Sequence, residues 1–315
     1  METTVIHIGY HKSASTFLQQ QVFPKLPVNY VFFSGENRQY LDMIESTNGL
    51  DSLAIQEWIE KEISQKYPTG KHSITVLSHE ELSGHPHGYK RISAITTAVN
   101  LKETFPDAKI LIIIRNQLDY MTSLYTFRVA VKGHETRGFA RFLREEGEKG
   151  LFDHLEYHRL VELYHQLFGR ENVTVIPMEV LLRSSEDFYH RLFEFLQIPT
   201  QKIQNTQPSN VSTKILAILG FWQPINYLFG QILSLLRLIF GERPGNFPRF
   251  RSSYYELKRK VTRILNRVLS KGRQLEIDSL PGSVDFVERF SESNSRLNKL
   301  LDMDLSQFGY PVKNS

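Results

Sequence analysis

The sequence predicts an α/β fold with a central parallel sheet flanked by helices and a helical C-terminal extension, on three observations. Up to about residue 205, short apolar, β-branched runs alternate with longer amphipathic stretches, the pattern of strands joined by crossover helices. Ile110 to Ile114 is apolar at every position, as a strand covered on both faces requires. Beyond residue 205 the alternation stops and helical patterns follow without strands between them.

In chain order, Thr4 to Ile8 opens as the first strand, and a tight loop of small residues gives way at Thr16 to a helix reaching Lys25. Tyr30 to Phe33 is the second strand, followed by a helix over Leu53 to Lys66. Ser73 to Leu77 is the third, with a helix over Tyr89 to Thr104 leading to the fourth, Lys109 to Ile114. Helices over Leu118 to Lys132 and Phe152 to Phe168 precede the fifth strand, Val173 to Ile176, and Ser185 to Leu196 closes the alternating part. Residues 204–210, rich in Gln, Asn and Ser with one Pro, read as a linker. The expected organisation is an α/β core over 1–210, an apolar then basic helical insertion over 211–280, and a C-terminal helix and tail over 281–315 that complete the core.

The insertion holds the two most unusual segments. Residues 215–240 carry a single charge, Arg237, and have the length of a membrane span. Against a span, Gln223, Asn226, Gln231, Ser234 and Arg237 fall on one helical stripe, and Pro224 and Gly230 weaken a straight helix. Residues 243–273 then carry ten basic residues and one acid, Glu256. Three readings stand: the apolar stretch packs on the sheet or on a second subunit beside a solvated basic face; the pair lies on an anionic membrane surface; or the stretch spans a bilayer.

At 315 residues, 41% hydrophobic and 23% charged, the chain is an ordinary globular protein, which excludes wholesale disorder and multi-span architectures. With no cysteine, disulfide frameworks, thiolate zinc, iron-sulfur clusters and cysteine nucleophiles are all excluded. A net charge of +4 is too mild to indicate nucleic acid, and no nucleic-acid partner is expected. Met1 to Gly9 runs straight into a strand with no basic n-region or cleavage site, so the expected location is cytoplasmic, with the inner face of the membrane as a peripheral site.

The chemistry gathers at two motifs. After the first strand comes Gly9-Tyr10-His11-Lys12-Ser13-Ala14-Ser15-Thr16, leading into Phe17-Leu18. A strand, a small-residue loop with one lysine and a helix start converge N–H groups and an ammonium on one point, which suits a phosphate or sulfate. The plainer alternative, that Ser15 or Thr16 only caps the helix, leaves the lysine unexplained. The loop lacks the second glycine and the Lys-[ST] register of a Walker A loop, and the buried strand ending at Ile114 delivers Arg115-Asn116 where a nucleotide kinase places an acidic magnesium ligand. Arg115 at that strand end, with Ser123 on the following helix one turn past Asp119, would serve a second phosphate at the ligand edge of an open sheet, although ordinary capping explains this motif equally well when it is read alone.

Together these motifs resemble the sulfotransferase superfamily, which uses 3′-phosphoadenosine 5′-phosphosulfate. Lys12 to Leu18 is similar to its K-[ST]-G-[ST]-T-x-L loop, and Arg115-Asn116-Gln117-Leu118-Asp119 with Ser123 and Tyr125 to its R-[ND]-P-x-D-x-x-x-S-x-Y motif. Ala14 replaces the loop glycine, and Gln117 replaces the proline, a change expected to be mild. The resemblance covers residues 1–205 and, weakly, Glu292 to Leu301 with Leu305 to Pro311; residues 215–280 lie outside it. It implies a three-layer P-loop-like fold and transfer of a sulfuryl group to a hydroxyl on a carbohydrate, lipid or small alcohol, or less readily to an amine, with 3′-phosphoadenosine 5′-phosphate as product. Lys12 would meet the bridging and sulfuryl oxygens, and Ser13, Ala14, Ser15, Thr16 and Phe17 would form the 5′-phosphate loop. Arg115 and Ser123 would take the 3′-phosphate, and no metal is implied.

The resemblance also implies a general base after the third strand, where Ser78-His79-Glu80-Glu81 stands. Glu80 is favoured and His79 is the alternate, since neighbours on an extended chain face opposite ways; Glu36 is a weaker third. His79, Glu80, His85 and His87 lack a zinc-ligand spacing, and no metal site is expected. Arg128 and Asn210 are further polar candidates. The competing functions are an atypical P-loop kinase and a noncatalytic protein that docks on anionic membranes through residues 215–273.

Overall fold

The computed structural model describes residues 3–33, 37–70, 72–84, 94–133, 135–203, 216–240, 254, 256–258, 260–262, 264–265 and 283–313. Glu36, His85, His87, Asn210, the linker 204–210 and most of the basic run lie outside the described residues.

Five strands, β1 (Thr3–His7), β2 (Asn29–Phe32), β3 (Ile74–Ser78), β4 (Lys109–Ile114) and β5 (Val173–Pro177), form one parallel sheet in the order β2-β3-β1-β4-β5. Each lies within one residue of its expected boundaries. The α-helices include α1 (Ser15–Phe17), α2 (Arg38–Ile44), α3 (Ser52–Lys66), α4 (Ala94–Thr104), α5 (Gln117–Phe127), α6 (Phe139–Glu148), α7 (Leu151–His154), α8 (Tyr157–Phe168), α9 (Met178–Arg183), α10 (Ser185–Leu196), α11 (Leu216–Phe240) and α12 (Ser283–Leu301). Three of these were not expected: α2 and α9 are too short to show a period, and α6 lies between Gly138 and Gly150 with Gly147 inside it.

The pleat sorts the apolar residues onto both faces of the sheet. Val5, Leu111, Ile113 and Ile176 enter one core with Phe17, Leu18 and Phe23 and with Phe188, Leu192, Phe193 and Leu196 of α10. Ile6, Ile110 and Ile112, all fully buried, alternate with them, and α8 packs against β4 and β5 with α4 beside it. Coverage on both faces is why β4 could be apolar throughout.

Three expected helices are interrupted, one of them Leu118 to Lys132, which is α5 followed by a π-turn over Arg128–Lys132. The first segment starts as α1, widens to a π-turn over Leu18–Val22 and tightens to a 3-10 turn over Phe23–Lys25, where Pro24 withholds its N–H. The stretch expected as Phe152 to Phe168 is two helices, α7 and α8, broken at Glu156, whose carboxylate receives Arg289 Nε at 3.1 Å.

The chain divides into two compact units, Met1–Gln117 with Glu146–Ser209 and Phe286–Ser315, and Leu118–Glu145 with Asn210–Asp285. In the first, β1 connects across β3 to β2 while β4 connects outward to β5. The two connections leave in opposite directions, which opens a crevice at the carboxyl ends of β1 and β4, where ligands of open α/β sheets bind. In the second, α11 is one continuous helix with Pro224 inside it, and no helix of the described residues is long and apolar enough to cross a membrane.

Candidate active site

The loop leaving β1 continues to pair with β4 after the strand ends: Ile8 N donates to Leu111 O at 3.0 Å and Tyr10 N to Ile113 O at 3.3 Å. The chain then turns sharply, with Lys12 at φ 66° and Ala14 at φ 61°, both left-handed. For a residue with a Cβ that conformation costs about 1–2 kcal/mol, so Ala14 has taken the backbone shape a glycine would adopt at that position. Ala14 itself occupies the N-cap position of α1 and makes no side-chain cap; the Ser15 hydroxyl instead donates to Tyr10 O at 3.2 Å. The capping alternative for Ser15 therefore fails, because Ser15 already lies inside the helix. Ser13 is fully buried, and its Oγ has no hydrogen-bond partner among the described residues. A Cβ on Gly9 would stand 2.5 Å from His7 Nε2 and 2.8 Å from Ser15 Oγ, so the turn closes only around a glycine. Thr16 is exposed and Phe17 is buried in the core.

Arg115, at the end of β4, reaches across to this loop, its Nη1 donating to Lys12 O at 2.8 Å. Its Nε is buried with no hydrogen-bond partner among the described residues. The backbone around it is held from several sides: Tyr157 OH donates to Arg115 O at 2.7 Å, and Asn116 N to Glu179 Oε1 at 2.9 Å. Tyr310 OH donates to the other Glu179 oxygen at 3.0 Å, and Asn116 Nδ2 to Gly309 O. Burial pushes the Glu179 carboxyl above its usual range, against those hydrogen bonds and the charge of Arg115. Gln117 is fully buried and exchanges amide hydrogen bonds with Asn294 of α12, at 2.8 Å and 3.2 Å, while Asn294 Nδ2 also donates to Pro311 O at 2.8 Å. Gln117 thus binds this strand end to the C-terminal segment, a task no proline could perform.

Beyond β3, His79 and Glu80 separate. The β1–β3 register sets His7 beside Ser78, and His7 Nδ1 and Ser78 Oγ are 2.8 Å apart. Gln19, on the π-turn after α1, donates Nε2 to Ser78 Oγ at 3.2 Å and to Glu80 Oε2 at 3.0 Å. Burial pushes the Glu80 carboxyl up, but the Gln19 amide, with His79 and His11 nearby, outweighs it and holds the group below its usual range. Glu80 is therefore an ionised carboxylate turned toward the loop and its helix. His79 turns the other way, stacked on Phe32 of β2 at 5.6 Å, with Nδ1 accepting from Glu81 N at 3.2 Å; burial holds its imidazole below the usual value. His7, fully buried, is lowered to about 4 by burial, against the charge of Glu80, and stays neutral.

The fold thus gathers the Lys12–Thr16 loop, Arg115 and Glu80 at neighbouring strand ends. Ser123 is buried on α5 in the second unit, where its carbonyl accepts from Thr126 Oγ1 at 3.1 Å; Arg128 there lies over the Phe142 ring at 5.3 Å. Sequence reasoning missed His7, Gln19, Glu179, Asn294 and Tyr310. The signal available for the first two was a polar residue at an otherwise apolar position, His7 within β1 and Gln19 after Phe17-Leu18. Among the described residues no cluster of His, Asp and Glu stands ready to hold a metal ion.

Residues 5–202 match the model of the sulfotransferase family. Among solved structures, a sulfotransferase from Alicyclobacillus acidocaldarius is similar at 18% identity over 79% of this chain and 99% of its own, with a TM-score of 0.48. The mouse sulfotransferase SULT7A1, complexed with PAP, is similar at 17% identity over 81% of this chain and 89% of its own, with a TM-score of 0.41. The sulfotransferase domain from the curacin biosynthetic pathway is similar at 15% identity over 67% of this chain and 79% of its own, with a TM-score of 0.35. No curated protein matches the chain significantly.

Proposed function

Since the chain belongs to the sulfotransferase family, we propose that it transfers a sulfuryl group from 3′-phosphoadenosine 5′-phosphosulfate to a hydroxyl of a carbohydrate, lipid or small alcohol, by in-line displacement. The observation that carries this reading is the junction of Arg115 with the Lys12 carbonyl, which joins the two phosphate motifs across 103 residues of sequence. Ser13 Oγ and Arg115 Nε at that junction are buried and, among the described residues, have no hydrogen-bond partner, which leaves them bonding capacity for an anion.

In this reading the chain's own groups supply the charge that the reaction needs. Lys12 stabilises the negative charge that develops on the leaving phosphate oxygen as the S–O bond breaks. Ser13, Ser15 and Thr16, with the N–H groups of the turn, hold the 5′-phosphate, and Ala14 and Phe17 shape that turn. Arg115 holds the 3′-phosphate, and for Ser123 the support is its place in the sequence motif alone. Glu80 accepts the acceptor's hydroxyl proton; it is preferred to His79 because it is ionised and shares Gln19 with the loop's helix, whereas His79 faces β2. An atypical kinase would need an acidic magnesium ligand past Ile114, but the carboxylate that meets this stretch, Glu179, accepts from Asn116 N and Tyr310 OH.

Calorimetric titration with 3′-phosphoadenosine 5′-phosphate in EDTA tests the reading, using wild type and Arg115→Ala. Metal-independent binding is expected, weakened at least about 100-fold in the variant because charge-assisted bonds contribute about 1.5–3 kcal/mol each. No binding, or binding of ATP only with magnesium, would overturn it.

A further inference from the structure

The residues at the end of β4 are each held by a different partner, and those partners converge on the C-terminal segment. Tyr157 OH donates to the Arg115 carbonyl at 2.7 Å, Asn116 Nδ2 donates to Gly309 O, and Gln117 pairs with Asn294, whose Nδ2 also donates to Pro311 O at 2.8 Å. Gly309, at φ 80°, ends the 3-10 turn over Leu305–Phe308 in the left-handed conformation that glycine adopts freely, and Tyr310 follows it into the interior, 2% exposed. On its other side the segment is tied to α12: Leu305 N donates to Asn298 Oδ1 at 3.0 Å and Lys313 N to Ser295 Oγ at 2.9 Å. Residues 305–313 are therefore fixed between α12 and the strand end that carries Arg115.

At this junction a buried carboxylate stands beside an arginine without pairing with it. Both Glu179 oxygens are engaged elsewhere, Oε1 by Asn116 N at 2.9 Å and Oε2 by Tyr310 OH at 3.0 Å. Arg115 is near enough for its charge to draw the Glu179 carboxyl down against the burial that raises it. Yet the guanidinium donates from Nη1 to Lys12 O at 2.8 Å, keeps Nε buried with no hydrogen-bond partner among the described residues, and forms no ion pair with any of them. A carboxylate and a guanidinium joined by parallel N–H bonds make one of the strongest pairs in a protein, so a buried Glu179 with one oxygen unoccupied would compete for Arg115. Tyr310 fills that oxygen. Burial holds its phenol well above the usual value, so it remains a donor at neutral pH. We propose that Tyr310 is a positioning residue for the donor site: by engaging Glu179 it keeps the Arg115 guanidinium for the 3′-phosphate, and the C-terminal segment thereby sets the selectivity for a nucleotide that carries that phosphate. The inference rests on the donor reading proposed above.

The test is calorimetric titration of the full chain as wild type, Tyr310→Phe and Tyr310→Phe/Glu179→Gln. The ligands are 3′-phosphoadenosine 5′-phosphate and adenosine 5′-phosphosulfate, which lacks the 3′-phosphate. Phenylalanine keeps the buried ring, and thermal melting checks that each variant is folded. Tyr310→Phe is expected to weaken binding of 3′-phosphoadenosine 5′-phosphate about tenfold, the size of one charge-assisted bond, and to leave binding of adenosine 5′-phosphosulfate unchanged. The double variant is expected to regain most of that loss, because a neutral amide cannot form the competing ion pair; a tyrosine that only stabilised the fold would not be rescued by altering a second buried group. Undiminished binding by Tyr310→Phe, an equal loss for both ligands, or a double variant no better than the single one would overturn the proposal. Wild type that fails to bind 3′-phosphoadenosine 5′-phosphate would refute the donor reading itself, and this inference with it.

Discussion

Gln19→Leu should raise the pKa of Glu80 toward the ordinary carboxylate range. In the folded protein Gln19 Nε2 donates to Glu80 Oε2 at 3.0 Å, and this bond is the largest influence holding the carboxyl below its usual range. A hydrogen bond to a charged group contributes about 1.5–3 kcal/mol and one to a neutral group about 0.5–1.5, so this bond favours the ionised form by about 1–1.5 kcal/mol. Leucine has a similar volume, so the fold should survive, although Ser78 Oγ loses a donor as well. Because the folded pKa is depressed, Glu80 contributes stability that is present above its unfolded pKa and lost as pH falls through the folded value. The variant should therefore lose less stability on acidification. The assay is a pH titration of the Glu80 side-chain carboxyl carbon by NMR, which needs no knowledge of the acceptor. If the Glu80 midpoint moves by no more than a few tenths, Gln19 does not set its charge state and the proposed positioning of the base is wrong. In a transfer assay, the acid limb of kcat/KM should move upward with the same midpoint.

Two further outcomes follow from the geometry. Gln117→Leu should destabilise the fold by about 2–3 kcal/mol in urea denaturation, because the Asn294 amide loses two of its three bonds, while Gln117→Leu/Asn294→Leu should cost less than the two single changes summed; strict additivity would mean that the pair is not coupled. Ala14→Gly should stabilise by about 0.5–1 kcal/mol, since relief at φ 61° exceeds the added entropy of the unfolded chain, and should leave binding of 3′-phosphoadenosine 5′-phosphate intact; a drop in the urea midpoint would contradict the strain argument.

What the sequence determined by itself was whatever short-range pattern encodes. Five strands fell within one residue of their places because alternation and apolar runs reflect contacts each segment makes with its own two faces. The Lys12 loop and Arg115 were legible because a strand, a turn and a helix start are contiguous in sequence. The tertiary structure alone decided how those pieces complete each other. Glu80 was separated from His79 by Gln19, 61 residues away, and Gln117, expected to be a mild replacement for a proline, acquired a partner 177 residues away in Asn294. The polar stripe of α11 was legible as a stripe, yet only packing decided that Gln223 and Asn226 turn inward and that Lys258 is buried with them. A single buried hydrogen bond leaves no periodicity along the chain; it exists only once topology has brought both partners out of water to the same place, where leaving either one unpaired would cost more than bonding it.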